Sequence, residues 1–313
     1  MLEVIQPYSI FGKNSAFLLL FPLFTMETFP LDTIIPNCKM GRLMSRPLVC
    51  VTLRGYTVDD VLKDAAVATA AGADLVEVRL DFLWAREQDI DATTNGANAD
   101  SDTDSRGPKY VPPEIISQPL ESVDIDAALE SLKQGIDLPV VLTCRPERQG
   151  GYYPGEEAER IEVLSSAISS GVSWIDLEID ISAESRKSLI EATKGKTKII
   201  ASLHSDEGPP SASEIIQDIE DSSDMGDIVK LCYNTSGRGD GLRLFEASWD
   251  LKETEYDYAI MGSGWGGDWT RIHAPLLGQA LVYATMEKGF HLSRQGRINA
   301  SDLQMAWRLL EYE

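Results

Sequence analysis

The chain predicts an α/β fold, a single (β/α)8 TIM barrel, and three observations carry that expectation. Short runs rich in Val, Ile and Leu alternate with helical stretches from Pro47 onward. Eight such strand–helix units follow one another, the pattern of a parallel sheet. The span 44–313 has the length of one closed barrel, with a doubly wound open sheet as the alternative.

Strands are expected at 47–53, 74–81, 138–144, 173–179, 197–203, 226–232, 257–262 and 279–284. Helices are expected at 57–71, 127–134, 156–170, 183–193, 211–220, 242–250 and 301–311. Gly, Pro and Asp/Ser punctuation separates them. Residues 1–43 stand apart as an N-terminal extension outside the fold. Their apolar run at 16–24 follows Lys13 and is long enough for a signal-peptide core, but too short to span a bilayer. Met44 opens Ser-Arg-Pro-Leu-Val-Cys, a clean first-strand start, so a read-through from an upstream start codon is the favoured alternative to a leader. Between the second and third strands, residues 85–125 are polar, acidic and of low complexity. They read as a flexible surface insertion without chemistry.

Composition excludes several function classes. With 50 acids against 28 bases the formal net charge is −22, which argues against nucleic acid or an anionic membrane as partner. An apolar share of 43% supports a real core. Cys38, Cys50, Cys144 and Cys232 lack CxxC spacing, and three of them lie in apolar runs. They read as reduced, in a cytoplasmic chain with no metal site. His273 and His291 sit off the strand ends and are not expected to bind metal.

The chemistry concentrates at strand ends. Lys230 closes an apolar run in which an ammonium is costly to keep charged, and a neutral amine attacks ketones. His204 ends the preceding apolar strand, about one strand–helix–strand unit earlier. An amine nucleophile and an imidazole base on adjacent strand ends suit Schiff-base chemistry with proton abstraction. Alternation places Glu77, Arg79 and Asp81 on one face of the second strand, where they should line a polar pocket. Arg145 ends the third strand ahead of Gly150 and Gly151. Asp176 or Glu178 on the fourth is placed to orient His204. Glycines at 262, 264 and 267 satisfy G-x-G-x-x-G, but far from the first βαβ unit, so the signal is weak. Arg271 beyond them is a candidate carboxylate clamp.

Together these residues resemble type I 3-dehydroquinate dehydratase over about 47–313. The carriers are Glu77-Val-Arg79-Leu-Asp81, Thr143-Cys-Arg145 with Gly150-Gly151, Asp176-Leu-Glu178, Ser202-Leu-His204, Asp227-Ile-Val-Lys230 and Thr270-Arg271-Ile272. The resemblance implies a cofactor-free lyase of the shikimate pathway, serving aromatic amino-acid biosynthesis, with 3-dehydroquinate as its small-molecule substrate. It implies that Lys230 forms the Schiff base and His204 moves the proton. Glu77, Arg79, Arg145, Arg271 and Ser293 would hold the substrate, and a homodimer is the common state of such relatives. Two positions depart from the family pattern. Ser-Ala-Pro-Gly-Gln reads Ser293-Arg-Gln-Gly-Arg297, so Arg297 or Gln295 replaces a glutamine; Arg297 would pair with the substrate carboxylate. Gln149 stands where many relatives have glutamate. A sugar-phosphate aldolase of the Schiff-base class and a non-catalytic quinate sensor are the rival functions.

Overall fold

The computed structural model describes residues 46–88 and 114–312. The extension at 1–43 and the centre of the acidic insertion lie outside the described residues. Eight parallel strands form one sheet in the order β10-β1-β2-β5-β6-β7-β8-β9. They are β1 (Leu48–Leu53), β2 (Leu75–Arg79), β5 (Val140–Thr143), β6 (Trp174–Glu178), β7 (Lys198–Ser205), β8 (Ile228–Thr235), β9 (Tyr258–Gly264) and β10 (Leu281–Ala284). Each lies beside its nearest barrel neighbours in sequence, as successive β-α-β crossovers of one hand produce.

The ring closes between β9 and β10 through one main-chain bond and one side chain. Ala280 N donates to Tyr258 O at 2.9 Å. Beside it the Gln279 carboxamide stands in for a backbone partner. Its Oε1 accepts from Ile260 N at 3.2 Å, and its Nε2 donates to Ile260 O at 3.1 Å. The two strands are therefore joined where their main chains form no regular ladder, and no polar group of Ile260 is left bare.

Helices α1 (Val58–Ala70), α2 (Ile125–Gly135), α3 (Glu157–Ser169), α4 (Ala183–Thr193), α5 (Ala212–Asp221), α6 (Arg238–Leu251) and α7 (Trp269–Ile272) connect the strands, and α8 (Ala300–Leu309) follows the last of them. Their starts are written in the sequence. Thr57, Asp124, Ser182, Ser211 and Asn299 each accept from an N–H of the first turn. Such caps satisfy donors that have no partner inside the helix.

Three elements differ from expectation. The second strand stops at Arg79, and Leu80–Trp84 wind into a 3-10 turn because Asp81 folds back onto Arg79. Helix α6 starts at Arg238 despite Gly239 and Gly241, since the Asp240 carboxylate holds Ser236 N at 2.8 Å and Ser236 Oγ at 2.7 Å. The ends of the acidic insertion are ordered: β3 (Ala85–Glu87) and β4 (Ile115–Ser117) pair antiparallel, with Ala85 fully buried.

The barrel interior changes character along the strands in steps of two residues, the period of inward-facing side chains. The lowest step is largely hydrocarbon and includes Cys50, Leu75, Val141, Trp174, Ile200, Ile228, Ala259 and Leu281. Two residues further on stand Thr52, Glu77, Thr143, Asp176, Ser202, Lys230, Met261 and Tyr283. Another two brings Arg54, Arg79, Arg145, Glu178, His204, Cys232, Ser263 and Thr285. Apolar packing thus supports an ionic layer, and the ionic layer supports a charged rim. Among the described residues no helix is long and apolar enough to cross a membrane.

Candidate active site

A cavity of about 160 Å³ opens at the carboxyl ends of the strands. Its wall includes Glu77, Arg79, Arg145, His204, Lys230, Cys232, Arg271, Tyr283 and Arg297. Lys230 and His204 therefore face one space from neighbouring strands, with Ser202 level with Lys230 and His204 level with Cys232 in the ladder.

The ionic layer forms the floor. Lys230 Nζ donates to Asp176 Oδ2 at 2.7 Å and to Tyr283 OH at 3.3 Å, and stands 3.8 Å from Glu77 Oε1. Ser202 Oγ donates to the other Asp176 oxygen. Thr52 and Thr143 hydroxyls donate to Glu77 at 2.8 and 3.0 Å. These groups are almost closed to water: Lys230 is 1% exposed and Asp176 0%. Burial at this depth is tolerable only because opposite charges and hydroxyls surround each ion. Burial alone would raise the Glu77 carboxyl. Lys230, Arg145 and Arg79 outweigh it and hold the group at about 2. Burial pushes the Tyr283 phenol well above its ordinary value, so it stays protonated.

The rim is cationic. Asp81 grips Arg79 with two bonds, Nε to Oδ1 at 2.7 Å and Nη2 to Oδ2 at 2.6 Å. It also accepts from Arg145 N and Tyr152 N, so one buried carboxylate locks β2 to the loop after β5. Asp81 serves behind the cavity wall and does not line it, unlike the expectation that all three acids and bases of that strand face the pocket. Gly151 permits the loop's tight return, since a Cβ there would stand 2.0 Å from Arg145 O. Gly151 thus lets the chain approach itself, and Gly150 before it takes a left-handed φ of +72. Similarly, Gly296 (φ +65) would carry a Cβ 2.5 Å from Gly264 O. The glycine-rich run thus packs backbone on backbone.

His204 Nε2 lies 2.8 Å from Arg145 Nη2. A guanidinium only donates, so Nε2 accepts and the ring proton sits on Nδ1. Nδ1 is buried without a partner. Burial pushes the imidazole well below its ordinary value, and Arg145, Lys230 and Arg79 push it further. His204 is therefore a neutral base at pH 7. Its main-chain N donates to Gln149 Oε1 at 3.1 Å, so residue 149 fixes the strand end.

Neither carboxylate expected to orient His204 touches its ring. Asp176 is taken by Lys230 and Ser202. Glu178 is taken by Arg160, whose Nη1 donates to Glu178 Oε2 at 2.7 Å and to Cys144 O at 2.8 Å. Arg160 comes from α3, and sequence reasoning gave it no role. Burial raises Glu178 to about 7, with Arg160 opposing and Asp176 adding to the rise.

Arg271 sits on the short helix α7, donates Nη2 to Gly262 O at 3.1 Å, and leaves Nη1 buried without a partner. Arg297 lines the cavity, but Glu287, Gln295 and Thr285 occupy its guanidinium. Gln295 is exposed and serves Arg297. Ser293 does not reach the cavity. It is exposed in a 3-10 turn, Phe290–Gln295, and its hydroxyl donates to Phe290 O at 3.1 Å. Tyr283, Thr52 and Arg54 line the cavity and were not singled out from sequence. Among the described residues no three His, Cys, Asp or Glu side chains form a metal-binding group.

A family model described as type I 3-dehydroquinase matches residues 49–313. The 3-dehydroquinate dehydratase of Methanopyrus kandleri is 27% identical over 242 residues, 77% of this chain and 91% of its own. That of Methanosarcina barkeri is 29% identical over 249 residues, 78% of this chain and 88% of its own. The crystal structure of type I 3-dehydroquinate dehydratase from Clostridium difficile with covalent modified comenic acid has a TM-score of 0.67. It is 22% identical, over 85% of this chain and 92% of that one. At that identity the likeness speaks for the barrel alone.

Proposed function

This chain belongs to the type I 3-dehydroquinase family, and from that premise we propose that it dehydrates 3-dehydroquinate to 3-dehydroshikimate through a Schiff base on Lys230. The observation that carries the reading is that Lys230 and His204 line one small cavity ringed by arginines in a chain of net charge −22. The local field, not the net charge, decides which ligand enters.

In this reading the free-base nitrogen of Lys230 adds to the C3 ketone. The proton shed by the Lys230 ammonium returns to the adduct's hydroxyl, which leaves as water and gives an iminium that draws electrons from C2. His204 removes a C2 proton and returns it to the departing C1 hydroxyl, which leaves as water. Hydrolysis of the product imine restores Lys230. Asp176 and Tyr283 hold the lysine nitrogen in place, at 2.7 and 3.3 Å. Arg145 covers the lone pair on His204 Nε2 in the free chain. Substrate oxygens that draw Arg145 onto themselves would uncover the base at the moment it is needed. Arg271 anchors the carboxylate through its bare Nη1, with Arg297 as a second guanidinium. Glu77 and Arg79 meet ring hydroxyls. Ser293 would have to move with its turn to join them. The same reading places the protein in the cytoplasm, in keeping with free Cys50, Cys144 and Cys232.

The test is turnover. Purified protein given 3-dehydroquinate should produce the conjugated-enone absorbance of 3-dehydroshikimate, and Lys230→Ala should abolish it. Folded native protein that produces no enone would overturn the reading.

A further inference from the structure

The rim carries an acid that the proposed reaction does not use. Glu287 accepts from Arg297 at 2.7 and 3.2 Å and from Arg54 at 3.4 Å. Both arginines line the cavity with Arg271. The charges do not balance, because two guanidinia share one carboxylate. Beyond the effect of burial, Arg297 lowers the pKa of both Arg54 and Arg271. Burial alone would raise Glu287, but its bonds to Arg297 and the charge of Arg54 hold it below its ordinary value. It is therefore an anion at neutral pH. A carboxylate placed between Arg271 and Arg297 would relieve their mutual repulsion, yet the donors of Arg297 are already spent on Glu287, Gln295 and Thr285.

We propose that Glu287 is a resident competitor for the ligand's carboxylate: it holds Arg297 in the free chain, and an incoming monocarboxylate displaces it from Arg297 while Arg54 keeps it at the rim. The exchange is feasible because the pair is partly solvated, with side chains 23% and 43% exposed, and ion pairs in that setting are weak. Arg54 supplies the second cation that keeps the displaced acid from being left unpaired. The acid thus sets the concentration at which the cavity fills. This inference rests on the proposed reading of the cavity as a site for a carboxylate-bearing ring.

Glu287→Gln keeps the shape and removes the charge. The KM for 3-dehydroquinate should fall roughly threefold or more, in line with a weak ion pair, with kcat unchanged. Raising the salt concentration should shrink the difference from the native protein. An unchanged or raised KM would overturn the proposal, a rise meaning that Glu287 helps position Arg297. Calorimetric titration with quinate, the ring acid with an alcohol in place of the ketone, separates the two readings. Tighter quinate binding by Glu287→Gln supports the exchange even if native protein fails to make the enone. Equal or weaker quinate binding overturns it while leaving turnover intact.

Discussion

Glu178→Gln isolates the cost of a buried carboxylate. The group is 0% exposed, one oxygen bonded to Arg160 and the other without a partner. Its pKa rises from the ordinary 4.5 to about 7 in the fold, chiefly through burial. A folded carboxyl with a raised value holds its proton more tightly than the unfolded chain does. Its destabilising effect is absent below the unfolded value, grows as pH rises, and is complete above the folded value. At about 1.4 kcal/mol for each pH unit, the full effect is about 3 kcal/mol. Glutamine cannot ionise and escapes it. Urea unfolding at pH 5 and pH 8 should therefore show the variant gaining about 2–3 kcal/mol on the native protein over that interval. His204 works in the opposite sense, because its lowered value makes stability rise with pH through the unfolded value of 6.5. It is present in both proteins and cancels in the difference. A variant-minus-native difference that is flat between the two pH values would refute the reasoning. It would mean that Arg160 keeps Glu178 ionised throughout.

Arg160→Met removes that cation. It should destabilise the protein by about 3–5 kcal/mol at pH 8, with a smaller loss at pH 5 where Glu178 takes up a proton; equal losses at both would count against it. His204→Ala should lower kcat by roughly 10²–10⁴. In the native protein the acid limb of kcat/KM assigned to His204 should lie below pH 6.5, because burial and three cations oppose its protonation; a limb above pH 7 would contradict this. Arg271→Lys loses the planar fork at the bare Nη1 and should raise the KM by roughly tenfold, measured by enone formation. A KM within twofold of native would move the carboxylate to another cation.

The barrel was legible because its strands are continuous apolar runs bounded by turn residues, and α4 lies where the pattern put it, at Ala183–Thr193. Alternation also brought out the inward sets at 77 and 79 and at 176 and 178. What stayed hidden depends on partners distant in sequence. The tie of Asp81 to the main chain at Arg145 and Tyr152, the Gln279 bridge between strands and the capture of Glu178 by Arg160 each need a neighbour that no local window contains. The β3–β4 ladder pairs segments separated by a polar stretch, so composition pointed to a loop. Ser293 was placed by a motif whose turn directs the hydroxyl to its own backbone. Tyr283 and Thr52 did have a signal, since each stands two residues after an inward residue of the hydrocarbon layer, Leu281 and Cys50.

Borohydride added during turnover bears most directly on whether the lysine at 230 bonds covalently to the ketone. Peptide mass analysis should then find a stable secondary amine joining the substrate skeleton to that single side chain, with activity lost in proportion. Continued enone formation with that lysine unmodified, or an adduct on a different lysine, would contradict the account.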